Sequence, residues 1–79
     1  MSRKRKEVDT STYEGRFAVR LRTLREKKKL TVEELAEGSG IPAATIYTWE
    51  SARFTPGLGH LPKLAKALQL KVRTLLPEK

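Results

Sequence analysis

The fold turns on GIPAATIYTWE, residues 40–50. Ile41 precedes Pro42, which suits the opening of a helix because the N–H it lacks would have no partner there. Ile46 and Trp49, three apart, supply a buried stripe. The outward positions Ala43, Ala44, Thr45, Tyr47 and Thr48 are small, hydroxylated or aromatic, and none is charged. The chain around them holds 17 Lys and Arg against 9 Asp and Glu, a net charge of +8. A neutral helix face in so cationic a chain needs a reason.

The segment before it is a second helix. Thr31 with Glu34 three residues on is a capping box, and Glu33 and Glu34 sit at the positive end of that helix dipole. Leu35 and Ala36 point inward, and GSG at 38–40 stops the helix. Two short helices, about 31–38 and 42–51, joined by a tight glycine-containing turn form a helix-turn-helix arrangement. Its second helix suits the major groove of DNA, where its first residues meet base edges. Base edges can be met by hydroxyls and methyl-sized groups, whereas phosphates take cations. That gives the neutral face a purpose, with Ala43, Ala44, Thr45, Tyr47 and Thr48 as the base-reading positions.

Further out, Phe17, Leu21 and Leu24 recur at i, i+4 and i+7 beside Ala18, one face of an amphipathic first helix. Its other faces carry Arg16, Arg20, Arg22, Arg25 and Lys27 to Lys29. After a loop at SARFTPG, the stretch LGHLPKLAKALQL places Leu58, Leu61, Leu64, Ala65 and Leu68 at helical spacing, with Pro62 in the first turn. Leu70, Val72, Leu75 and Leu76 predict a last short helix ending before Pro77. No alternating strand pattern occurs. The expected architecture is all-α: a compact five-helix domain over residues 15–77, behind a flexible basic arm over residues 1–14. The arm's cations are Arg3, Lys4, Arg5 and Lys6.

Composition narrows the function. Seventy-nine residues allow one domain with a modest core. The absence of cysteine excludes disulfides, Cys-based zinc sites and thiol catalysis. Apolar runs are too short to span a membrane or to make a secretory signal, so a cytoplasmic, nucleoid-associated protein is expected. His60 is the single histidine and has no second ligand near it, so no metal is expected, and it reads as a surface residue. Glu33, Glu34 and Glu37 have no nucleophile or base beside them, so an enzyme is not expected, and neither is a cofactor or small-molecule ligand. The net charge favours a polyanionic partner.

At these residues the sequence resembles the Cro and phage-repressor type of helix-turn-helix protein, the XRE family, whose fold is lambda-repressor-like. The similarity covers residues 21–76 through an ordered set: LRTLR, LTVEELA, GIPAATIYTWE, a proline in the following loop, LPKLAKAL and a closing hydrophobic pair. The resemblance implies double-stranded DNA binding by a transcriptional regulator, a repressor by family habit, working as a homodimer on a pseudo-palindromic operator. It implies an ion pair between Arg25 and Glu50, and phosphate contacts from Thr31, Ser51, Arg53 and Thr55. It assigns base-facing positions to Ala43, Ala44, Tyr47 and Thr48. A dimer would need a small patch near Val72, Leu75 and Leu76, or would form only on DNA. The arm is similar, over a few residues, to the lysine-rich arm of the lambda-type repressor, which reaches around the duplex.

The chain departs from the family pattern at several positions. Val32 stands where the family often has a phosphate-touching glutamine. Lys29 and Ala52 stand where it usually has glycine in a left-handed backbone, at a cost on the order of 1 kcal/mol each or a different helix ending. Ala43 and Ala44 replace polar readers and leave methyl contacts to thymine, so Tyr47 and Thr48 are the expected direct readers. The rival reading is a helix-turn-helix module that docks a protein partner, antitoxin-like, with weak or nonspecific DNA binding.

Overall fold

A computed structural model describes residues 9–77. They form α1 (Tyr13–Lys27), α2 (Val32–Ser39), α3 (Ala43–Glu50), α4 (Leu61–Leu68) and α5 (Val72–Leu75), with no strand among the described residues.

Helix α1 starts earlier than its apolar period suggests. Thr12 is its N-cap, with Oγ1 accepting from Gly15 N at 3.0 Å. Asp9 accepts from Ser11 through both N, at 2.9 Å, and Oγ, at 2.7 Å, and so anchors the approach. Gly15 is buried beneath the Asp9 carbonyl, which a Cβ there would overlap. Residues 9–14 are therefore part of the domain, whereas the expected arm ran to residue 14. These tethers are polar and short-range, invisible to a search for apolar spacing. Arg3, Lys4, Arg5 and Lys6 lie outside the described residues.

Thr31 caps α2 reciprocally: Glu34 N donates to its Oγ1 at 3.0 Å, and Thr31 N donates to Glu34 Oε1 at 2.8 Å. The helix runs through Gly38 to Ser39 and ends at Gly40, whose φ of 76° is left-handed backbone that glycine adopts without strain. Pro42 is the N-cap of α3 rather than a residue inside it, and its carbonyl accepts from Thr45 N and Ile46 N. Lys29 (φ 60°), Ala52 (φ 65°) and Gln69 (φ 60°) carry the same left-handed conformation with side chains attached, at the ends of α1, α3 and α4.

Phe17, Leu21, Leu35, Ile46, Leu64, Leu68 and Leu75 are fully buried, with Val32, Ile41, Trp49 and Leu61 nearly so. One residue of the expected α4 stripe is misplaced. Leu58 lies in the turn before the helix and is 85% exposed, because Pro62 falls in the first turn and α4 begins only at Leu61. The expected dimer patch changes as well. Leu75 is consumed by the chain's own core, and Val72 and Leu76 pack half-buried against it. Arg20 holds α5 onto α1 through a hydrogen bond to the Thr74 carbonyl.

Candidate nucleic-acid interface

Helix α3 is fixed from below by Ile46 and Trp49, buried under its inner face. The edge of the Trp49 ring meets His60, with centroids 5.3 Å apart at 61°. Exposed His60 thus also braces the loop that leaves α3. At the end of α3, Glu50 is buried and takes two hydrogen bonds from Arg25: Nε to Oε2 at 2.7 Å and Nη2 to Oε1 at 3.0 Å. Arg25 Nη1 also donates to the Leu30 carbonyl at 2.7 Å, tying in the turn toward α2. One guanidinium thereby sets α1, the α1–α2 turn and the end of α3 against each other. The Glu50 carboxylate raises the Arg25 pKa above its already high ordinary value, more than burial lowers it.

With the inner face fixed, Ala44, Tyr47, Thr48 and Ser51 share the outward face of α3 by i, i+3, i+4, i+7 spacing. Ala44, Tyr47 and Ser51 are exposed and Thr48 is half-buried. Ala43 and Thr45 lie at the edges of that face, both half-buried, and Ala43 packs against the core. The hydroxyls are already engaged. Thr48 Oγ1 donates to the Thr45 carbonyl at 2.6 Å, and Ser51 Oγ donates to the Thr48 carbonyl at 3.1 Å. Tyr47 Oη donates to Glu33 Oε2 of α2 at 3.1 Å, and this contact holds the phenol pKa above its ordinary value.

Thr31 is exposed at the start of α2; Ser51 and Arg53 are exposed and Thr55 half-buried after α3. Val32 is buried in the core and presents nothing polar outward. Glu33 was not expected at this face. Its contact with Tyr47 depends on how α2 and α3 pack, and residues 14 apart carry no local sequence signal of it. A groove of about 1010 Å³ between α1 and α5, bounded by Arg16, Arg20, Leu24, Lys28 and Thr74, was equally unannounced. Among the described residues there is no cluster of three His, Cys, Asp or Glu that could hold a metal, and no helix long and apolar enough to cross a membrane.

Residues 21–75 match the family model HTH_3, helix-turn-helix. The HTH-type transcriptional repressor RghR of Bacillus subtilis (strain 168) is 43% identical over 61 residues, covering 76% of this chain and 45% of that protein. The chain thus spans under half the length of that relative. The restriction-modification controller protein C.AhdI from Aeromonas hydrophila superposes with a TM-score of 0.76 at 32% identity, over 86% of this chain and 100% of that one. The P22 c2 repressor, solved with a synthetic operator, superposes with a TM-score of 0.70 at 32% identity, over 76% of this chain and 91% of that one.

Proposed function

The chain belongs to the HTH_3 helix-turn-helix family, and on that premise we propose that it binds double-stranded DNA sequence-specifically as a transcriptional regulator. The observation that carries this reading is the outward face of α3. It is uncharged, rigidly seated by the Arg25–Glu50 pair, and flanked by Thr31, Ser51, Arg53 and Thr55. In the major groove, α3 sets Tyr47 and Thr48 against base edges with Ala44 in methyl contact, while Ala43 and Thr45 flank them. The flanking hydroxyls and Arg53 hold phosphates. The arm cations Arg3, Lys4, Arg5 and Lys6 add sequence-independent attraction. Repression is favoured over activation by the names of the relatives, RghR and P22 c2. Such a regulator works in the cytoplasm, on the nucleoid, with no chemistry of its own.

A homodimer on a pseudo-palindromic operator fits this role. With Leu75 buried, the most exposed large apolar side chains among the described residues are Leu58, 85% exposed, and Phe54, 66%, both in the loop after α3.

The deciding experiment is selection from a random duplex pool at two salt concentrations, with sequencing of the bound fraction. A half-site repeat that survives the higher salt supports the reading. Salt-sensitive binding without enrichment points to a nonspecific binder. Absence of binding favours a protein-docking module, the reading that buried Val32 supports, since it leaves no side chain for the family's phosphate contact.

A further inference from the structure

Tyr47, Thr48 and Ser51, on the outward face of α3, each spend the hydroxyl proton inside the protein. Thr48 gives its proton to the Thr45 carbonyl, Ser51 to the Thr48 carbonyl and Tyr47 to Glu33. A hydroxyl has one proton and two lone pairs, so these groups turn only acceptors outward. Ala44 contributes a methyl, and the Glu33 carboxylate beside Tyr47 is itself acceptor-only. The two backbone-directed hydroxyls are neutral donors to neutral carbonyls. The Tyr47 contact is charge-assisted and so holds its proton more firmly. The ion pairs among the described residues join Arg25 to Glu26 and to Glu50, so among them Glu33 has no side-chain cation within ion-pair distance and meets only the positive end of the α2 dipole.

Resting on the DNA-reading role proposed above, we propose that Glu33 and Tyr47 form an acceptor-only reader that selects cytosine on the strand facing them. In the major groove cytosine presents only its N4 amine, a donor. Adenine sets an N6 donor beside an N7 acceptor, guanine presents two acceptors, and thymine an acceptor and a methyl. An acceptor face meets cytosine in register and leaves guanine's N7 and O6 opposed to lone pairs and a carboxylate. Glu33 is the positioning residue, because it commits the phenol proton and supplies the negative charge. Tyr47 is the residue that touches the base.

The test is selection from a random duplex pool with the intact protein, with Tyr47→Phe and with Glu33→Gln. The intact protein should show one position per half-site where cytosine exceeds guanine by roughly tenfold, within the range of a good base contact. Tyr47→Phe should bring that position alone close to parity and so identify it. Glu33→Gln, which removes the charge that commits the phenol proton, should free that proton for an acceptor and so admit guanine there. Guanine or thymine enriched at the position that Tyr47→Phe affects would overturn the proposal. So would a motif unchanged in both variants, or an affinity loss in Glu33→Gln that is equal for all bases, as a merely structural role predicts. Absence of any motif with the intact protein would instead overturn the DNA-reading role on which the proposal stands.

Discussion

Arg25 and Glu50 meet in a two-pronged contact, 2.7 and 3.0 Å, that joins α1 to the last residue of the helix proposed to read DNA. Both side chains are buried, so removing one leaves the other's charge stranded. Arg25→Met should cost about 3 kcal/mol of unfolding free energy. The double variant Arg25→Met with Glu50→Leu should recover most of that loss, because replacing a whole buried pair with apolar groups is close to neutral. Urea unfolding of the three proteins checks this, and a double variant no more stable than the single one would refute it.

Lys29 and Ala52 sit at φ of 60° and 65°, where a Cβ crowds the backbone. Lys29→Gly and Ala52→Gly should each stabilise the fold by up to about 1 kcal/mol, despite the entropy glycine adds to the unfolded chain. Thermal melts would register each gain as a rise of roughly 4–8 °C for a domain of this size.

Thr31 has a capping role and a proposed phosphate-holding role, which substitution can separate. Its capping hydrogen bonds with Glu34 make Thr31→Ala about 1 kcal/mol destabilising, whereas Thr31→Ser should keep the cap. If Thr31 also holds a phosphate, Thr31→Ala should weaken operator binding beyond what unfolding accounts for. Comparing affinity well below the melting temperature with stability would distinguish the two roles.

The Tyr47 phenol is held above its ordinary 10.0 first by its hydrogen bond to Glu33 and then by that carboxylate's charge. A raised folded pKa means the pair's contribution to stability is full below pH 10.0 and is lost as pH climbs through the raised value. Ultraviolet titration of phenolate, intact protein minus Tyr47→Phe, isolates this group from Tyr13. Glu33→Gln should move its midpoint down, and an unmoved midpoint would show that the contact does not form in solution.

Salt dependence should report the phosphate contacts one cation at a time. Arg53→Ala should reduce the slope of log affinity against log salt by about 1, and deletion of residues 2–6 by up to roughly four. An unchanged slope after the deletion would remove Arg3, Lys4, Arg5 and Lys6 from the interface.

Much of this molecule is legible in one dimension because its elements are local. The Thr31–Glu34 box, the left-handed glycine at 40 and the Ile46–Trp49 stripe are features of consecutive residues, and a helix expresses them wherever it packs. Ala44, Tyr47 and Thr48 outward on α3 followed from the same 3.6-residue period, whereas Ala43, expected outward, lies one turn before buried Ile46 and packs half-buried against the core. The start of α1 was not legible, since Asp9, Ser11 and Thr12 act through polar tethers without periodicity. Leu58 was assigned to a stripe by spacing alone, though the helix begins after it.

The sequence by itself determined which segments are helical, where most of them stop and which neutral face a helix pair would leave outward, because hydrogen bonds within four residues and one buried stripe govern each of these. Only the tertiary structure decided that Glu33 reaches Tyr47, that Leu75 is spent in the core rather than offered to a second copy, and that Val32 is buried. Those contacts depend on the angles at which α2, α4 and α5 pack. Packing angles are set by the summed fit of many side chains far apart in the chain, which no single stretch encodes.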